Sequence, residues 1–345
     1  MQEIEAAPVR FPFATAPENS AVLQVADGIF WMRLRLPFAL NHVNVYIIED
    51  QGGFAIVDCG LDIAESRAAW EGLFTGLFSG KKITKVICTH YHPDHVGLAG
   101  WLSKKFEAPL YMPRTEFLTT LAIQHRAFVA NRTFYEERGL AHDVTEIVTT
   151  RGLGYLKLVS ELPSQFVALG DKDILRIGSR NFTVFTGGGH SPEQACLYEP
   201  RERLFLSADQ VLSKISPNIS VQAMEPKEDP LAQYLSSLAR LRVEVDGDAV
   251  VLPGHHVPFT GVHTRIDELI NHHHERCDMI LRACAGGAKT ATELVPVVFT
   301  RALDPQQMSF AFSEVVAHTN YLCGRKELIE SAGTDGVLRL GILNS

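Results

Sequence analysis

The sequence predicts an α/β fold of two sheets covered on their outer faces by helices, followed by a smaller helical unit. Three observations carry this. Short runs rich in Val, Ile, Phe, Trp and Tyr, broken by Gly, Asn and Asp, fill residues 28–60 and return over 166–256. A mostly helical stretch at about 115–165 separates the two series. From about residue 265 the pattern turns helical and closes on a hairpin. Strands then helices, twice over, is the order two helix-covered sheets require. A chain of 345 residues also exceeds what one core usually fills, so a main domain over 1–264 and a smaller one over 265–345 are expected.

Taken in order, residues 1–20 lack periodicity and read as an irregular arm. GIFWMRLRL, NVYIIED and GFAIVDCG read as strands, and residues 63–79 have apolar side chains at helical spacing. KITKVICT is a buried strand that ends where THYHPDHVG (89–97) begins. After it, VGLAGWLSKKF puts Leu98, Trp101, Leu102 and Phe106 on one helical face. The histidine cluster therefore lies on a strand-to-helix turn, where α/β proteins expose functional groups.

The 115–165 stretch, entered after the strand PLYMP, carries Phe117, His125, Arg126, Phe128, Arg132, Phe134, Tyr135 and Arg138. Two readings stand: the core of a helical hairpin, or a lid over the active site. In the second, Phe128, Phe134 and Tyr135 form an apolar wall and Arg126 or Arg132 anchors an anionic carrier. FVALG, DILRIGSRNFTVFTGG, ACLYEP, RLFLSADQVL and AVVLPGHH form the second strand series. Three helical segments follow, over 265–284, 290–299 and 306–325, and Asp335-Gly336 reads as a two-residue hairpin turn. In His272-His273-His274, only His273 falls in the apolar stripe, so two of the three are expected to face solvent.

The net charge of −8 and the absence of a Lys/Arg run argue against a nucleic-acid partner. Six cysteines without a CxxC pair, several in apolar runs, suit reduced buried thiols. The first twenty residues have no apolar signal core, and no stretch of about 18 apolar residues occurs, so a cytoplasmic protein without a membrane partner is expected. The composition is compatible with a homo-oligomer.

The chemistry concentrates in residues 90–95, which hold three histidines and an aspartate. Residues two apart in an extended segment point to the same side, so His90 and His92 can share a cation. Asp94 and His95, past Pro93, can serve a second. Nitrogen donors with carboxylates suit Zn²⁺, Fe or Mn²⁺. Four groups are too few for two ions. Three more ligand types follow apolar strands downstream: His190 in TGGGHSPEQ, Asp209 in LFLSADQ and His255 in VVLPGHH. Seven groups on one sheet edge would suffice for two metals sharing one carboxylate.

This set resembles the metallo-β-lactamase fold superfamily, in its dinuclear hydrolase branch, over about residues 22–262. The resemblance implies an αββα sandwich and two divalent ions, Zn²⁺ before Fe or Mn. It implies that His90, His92 and His190 hold one ion, that Asp94, His95 and His255 hold the other, and that Asp209 bridges. Asp58 in IVDCG matches the aspartate that orients a ligand histidine, although a plain turn-capping role fits it equally. Asp94, Asp209 and Asp58 are the carboxylates expected to serve catalysis, in which a hydroxide between the ions attacks a carbonyl carbon. The β-lactamases of the fold carry Cys or Ser where Asp209 stands, and the flavodiiron reductases carry Glu where His92 stands, which disfavours both activities. GHSPEQ also departs from the GHTPG of glyoxalase II, with Glu193 replacing glycine. The end of the chain resembles the small winged-helix-like tail of some of these hydrolases, not the glutathione-binding helices of glyoxalase II.

The expected function is thus hydrolysis of a small-molecule acyl thioester or ester, hydroxyacylglutathione- or acyl-CoA-like. A lactonase, a nuclease that holds nucleic acid on its tail, and a metal-bound ligand sensor are the alternatives.

Overall fold

A computed structural model describes residues 7–18, 20–125 and 132–343. The first sheet has seven strands in sequence order: β1 (Val22–Ala26), β2 (Ile29–Arg35), β3 (His42–Asp50), β4 (Gly53–Val57), β5 (Lys82–Ile87), β6 (Leu110–Pro113) and β7 (Val167–Leu169). Strands β1 to β4 pair antiparallel and β4 to β7 parallel. The second sheet contains β8 (Ile174–Ile177), β9 (Arg180–Gly187), β10 (Gln194–Glu199), β11 (Leu204–Ala208) and β12 (Val250–Pro253), in the order β12-β11-β10-β9-β8.

Period-two alternation decides which layer each side chain enters. Trp31, Tyr46 and Ile48 of the first sheet meet Phe182, Val184, Leu197, Leu206 and Leu252 of the second in a core between the sheets. Their sequence neighbours Met32, Leu34, Val45 and Ile47 face the other way. There they pack with Trp70 of α1 (Ala64–Thr75) and, past α2 (Pro93–Val96), with Leu102 of α3 (Ala99–Phe106). On the far side of the second sheet, Phe185, Tyr198, Phe205 and Val251 pack under helices. The result is the αββα sandwich of the metallo-β-lactamase fold.

Between β6 and β7 lie α4 (Arg114–Gln124), α5 (Arg132–Glu136) and α6 (His142–Tyr155). Helix α7 (Pro230–Glu244) fills residues 213–248 in part, a stretch for which the sequence patterns above predict no element. Its signals are local, with Asp229 accepting a hydrogen bond from Ala232 N, Pro230 in the first turn, and Leu231, Tyr234, Leu238 and Leu241 buried on one face. The short strand β1 was missed as well.

The C-terminal part contains α8 (Val262–Ala285), α9 (Ala291–Val298), α10 (Pro305–Gly324) and the strand pair β13 (Leu328–Ala332) and β14 (Leu338–Ile342). Helix α8 starts before residue 265, so the expected domain boundary falls in its first turn. Capping boxes start α9 at Thr290/Glu293 and α10 at Asp304/Gln307. Phe312, Val315 and Val316 of α10 join Ile280 of α8 and Leu294 of α9 in one core with the second sheet's outer helices.

Two expectations need correction. The hairpin turn is not two residues long. Gly336 N donates to Gly333 O (3.0 Å) and Gly333 N to Val337 O (2.9 Å), which leaves Thr334, Asp335 and Gly336 in a three-residue loop. Gly336 takes the left-handed φ of 78° that closes such a loop. Nor do Phe134 and Tyr135 form a wall open to substrate. Phe134 is buried, and Tyr135 packs against Phe312 with ring centroids 5.8 Å apart. Arg132 reaches Glu146 on the surface; Arg126 and Phe128 lie outside the described residues. In the histidine triplet His273 is buried, His274 is exposed, and His272 is half-buried near Ser216 Oγ (3.3 Å).

A candidate metal centre at the carboxyl ends of the strands

Five strands, β4, β5, β9, β11 and β12, end at one edge of the sandwich, and the loops after them carry Asp58, residues 90–95, His190, Asp209 and His255. The sharp exits are visible in the backbone. Asp58, Ala208 and His256 all have positive φ (61°, 46° and 66°), a conformation that non-glycine residues adopt where surrounding structure enforces it. Gly254 is required by close approach: a Cβ there would stand 2.2 Å from Asp209 Oδ1 and 2.9 Å from His95 Cε1.

All seven candidate ligands come together. The donor atoms of His90, His92 and His190 lie within 4.8 Å of one another, as do those of His90, His95 and Asp209, and those of Asp94, His95 and His255. Asp209 Oδ2 is 3.5 Å from His95 Nε2, 3.3 Å from His190 Nε2 and 3.3 Å from His255 Nε2. Asp94 Oδ2 is 3.4 Å from His255 Nε2 and 3.7 Å from His95 Nε2.

The ring orientations follow from what holds the opposite nitrogen. His95 Nδ1 donates to Asp58 Oδ2 (2.8 Å), His190 Nδ1 to Asn218 O (2.9 Å) and His255 Nδ1 to His42 O (2.7 Å). The Thr89 hydroxyl donates to Asp58, so it accepts from His90 Nδ1 (3.0 Å). With Nδ1 protonated, each Nε2 is left with a lone pair aimed at the centre. His92 presents Nδ1 instead, 3.0 Å from both His90 Nε2 and His190 Nε2.

These contacts test whether the residues fit divalent ions. A proton on His92 Nδ1 could serve only one of its two neighbours at 3.0 Å well, whereas a cation among the three nitrogens serves all of them. His95 Nε2 and Asp209 Oδ1 are buried without a hydrogen-bond partner, a costly arrangement that coordination relieves. Burial, reinforced by neighbouring histidines, holds His90 and His92 well below the ordinary histidine range, hence neutral and ready to coordinate. At Asp209, His95 and His255 the balance is mutual: burial disfavours charge on each, but Asp209, with Asp94, raises both histidines and they in turn hold Asp209 low, so positive charge among these groups is stabilised, as a divalent ion in the protons' place would be. The donor set fits.

Several further groups matter here, of which the sequence singles out Glu193 alone. Glu116, fully buried on α4, accepts from Tyr91 N (2.9 Å), Ser191 Oγ (2.7 Å) and Glu193 N (2.6 Å), and so ties the His90/His92 loop to the His190 loop. Burial pushes its pKa up to about 7 against those hydrogen bonds. Glu193, the departure from GHTPG, accepts from Thr115 N (2.9 Å) near the start of α4. Thr89 and Asn218 complete the set.

Comparison with known proteins agrees with this geometry. The profile described as "Metallo-beta-lactamase superfamily" matches residues 39–255. The chain belongs to this superfamily. A second profile, "Metallo-beta-lactamase-like, C-terminal domain", matches residues 277–341. A crystal structure described as a beta-lactamase domain protein from Burkholderia ambifaria superposes with a TM-score of 0.89 at 37% identity, covering 97% of both chains. The "Probable metallo-hydrolase YqjP" of Bacillus subtilis is 24% identical over 306 residues, 86% of this chain and 92% of its own. The human "Acyl-coenzyme A thioesterase MBLAC2" is 25% identical over 259 residues, 70% of this chain and 82% of its own. The chain is a metallo-hydrolase of the superfamily, and its His/Asp clusters suit divalent metal. Among the described residues no helix is long and apolar enough to cross a membrane.

Proposed function

We propose that this chain hydrolyses small acyl thioesters or esters using two divalent ions, Zn²⁺ in the first instance. His90, His92 and His190 would hold one ion, Asp94, His95 and His255 the other, with Asp209 between them. The observation that carries the reading is the position of Asp209 Oδ2, within 3.5 Å of histidine nitrogens from both groups. When bound, such ions polarise a carbonyl oxygen and bring the pKa of a coordinated water from about 15.7 towards about 7.

The chain's own residues do the rest. Asp58 fixes His95 directly and His90 through Thr89, so one buried carboxylate sets a histidine in each group. Asp94 is the more open of the two central carboxylates, at 18% side-chain exposure against 6% for Asp209. We assign it the proton released as water attacks. Tyr155 Oη donates to Tyr91 O (2.6 Å) and so pins the loop between His90 and His92 to the helical segment from α4 to α6.

Thioester or ester specificity rests on two supports. Asp209 occupies the place where the β-lactamases of the fold carry Cys or Ser, and a relative is described as an acyl-CoA thioesterase. Nucleic acid is disfavoured because α10 is buried at every position over 311–319, which leaves no exposed helical face there to read a groove. The test is a panel of acyl-CoA, acyl-glutathione, lactone, nitrocefin and RNA substrates on metal-loaded protein. Turnover of one of the thioesters above all others is expected. Robust nitrocefin or RNA cleavage without thioester turnover would reverse the assignment.

A further inference from the structure

Three of the four histidines with a held Nδ1 are anchored next to the strands of the first sheet: His95 and His90 through Asp58 after β4, and His255 through the carbonyl of His42 at the start of β3. His190 is different. Its acceptor is the carbonyl of Asn218 (2.9 Å), in the segment between β11 and α7 that has no strand or helix of its own. A carbonyl in such a segment is only as fixed as what holds the segment.

That support comes from the C-terminal helices. Asn218 Nδ2 donates to Glu314 Oε2 of α10 (3.0 Å) and to Phe310 O (3.4 Å). The other oxygen of Glu314 pairs with Arg276 of α8. Further contacts strap the same segment to α10: Val221 N donates to Ser313 O (3.4 Å), and Asn320 Nδ2 to Pro226 O (3.1 Å) and Glu228 O (2.8 Å). Glu314 is itself buried, and a carboxylate removed from water persists where cations and donors answer it; here Arg276 and Asn218 do so.

We infer that Glu314 is a positioning residue of the metal centre: through Asn218 it fixes the ring of His190, so that the C-terminal unit completes the His90/His92/His190 group. The chain of contacts runs from Arg276 to Glu314, to the Asn218 side chain, and from the Asn218 carbonyl to His190 Nδ1–H. Breaking it lets the Asn218 carbonyl shift away from His190 Nδ1–H, which frees the ring to turn and weakens the hold that makes Nε2 a strong donor. Loss of such an outer partner typically weakens metal binding about 10- to 100-fold.

The inference rests on the proposed role of His190 as a ligand, so the experiment includes that residue. Cobalt(II) affinity, by chelator competition, and the cobalt absorption spectrum are compared for wild type, His190→Ala, Asn218→Ala, Glu314→Ala, Glu314→Gln and Val315→Ala, with thermal stability measured in parallel. Val315 is a buried apolar neighbour on α10, and its truncation reports a merely structural loss. The expected result is at least about tenfold weaker binding of one cobalt, with an altered spectrum, in Asn218→Ala and Glu314→Ala. Glu314→Gln, which keeps an acceptor for Asn218, recovers part of it, and Val315→Ala loses stability with cobalt binding intact. Should Glu314→Ala fail to fold, Asn218→Ala carries the test alone. Cobalt affinities in Asn218→Ala and Glu314→Ala no weaker than in Val315→Ala would overturn the inference while leaving the site reading in place. An unchanged affinity in His190→Ala would overturn both.

Discussion

Two clusters in this protein use the same residue types and come to different ends. At the strand edge, five histidines and two aspartates converge with their lone pairs facing one another. Between α8 and α10, His273, Glu314 and His318 are equally buried and also close enough to share an ion. There, however, Glu314 is already matched by Arg276 and Asn218. His318 Nδ1 donates to Glu314 O (2.7 Å), and its Nε2 accepts from His273 Nδ1 (3.1 Å). The difference teaches that proximity of His and Glu does not define a metal site. What counts is whether hydrogen bonds on the outer side of each ring leave unmatched lone pairs on the inner side. The strand edge meets that condition at several atoms; between the helices Glu314 and both nitrogens of His318 are matched, and His273 Nε2 alone of the three side chains' polar atoms is left without a partner.

The sharpest way to break this comparison is to remove one member of each cluster. Asp209→Ala should lower kcat/KM by on the order of a hundredfold or more, above the loss usual for an outer partner, because it takes away the group both ions would share. His273→Ala should leave kcat/KM within about threefold, since its cost falls on packing between α8 and α10. Similar losses in the two variants, read by steady-state kinetics with stability monitored, would erase the distinction.

A smaller effect is expected at Asp58→Asn. The amide can face His95 Nδ1 only with an oxygen on one side, and it loses the charge that holds both His95 and Thr89. Metal affinity should fall about 10- to 100-fold while folding is kept. Chelator competition is the measurement, and unchanged affinity would return Asp58 to a turn-capping role.

The smallest effect concerns acid stability. Burial holds the His318 pKa down to about 3, whereas an unfolded histidine titrates near about 6.5. The folded form therefore binds its proton less readily. Above about pH 6.5 the group contributes nothing to the pH dependence; below it, stability falls by up to about 1.4 kcal/mol per pH unit for this one group. Denaturant unfolding of wild type and His318→Gln at several pH values between about 7.5 and 5 should give a shallower slope in the variant. Equal slopes would show that His318 becomes charged in the folded protein.

How much of this was legible in the sequence differs between the same two regions. The seven ligand candidates stand in short motifs directly after apolar strands, so order and context were enough to collect them. Of their outer partners Asp58 was legible through its motif, and the others were not. His42 and Asn218 act through backbone carbonyls, which no side-chain pattern announces, and Thr89 matters because it lies between His90 and Asp58. Phe134 and Tyr135 read equally as lid or core, because the helices they pack against, α8 to α10, lie far along the chain. The two sheets were legible through alternation. Helix α7 carried the ordinary signals, an Asp cap, a Pro and an apolar stripe, but stood in a stretch read only for its flanking strands.

Two ions are expected at the strand edge and none between α8 and α10. Metal analysis of protein purified without chelators, run in parallel on wild type, Asp209→Ala and His273→Ala, tests that expectation most directly. Close to two equivalents are expected in wild type, fewer in Asp209→Ala, and the wild-type value in His273→Ala. One equivalent that survives Asp209→Ala unchanged, or a loss of metal in folded His273→Ala, would contradict it.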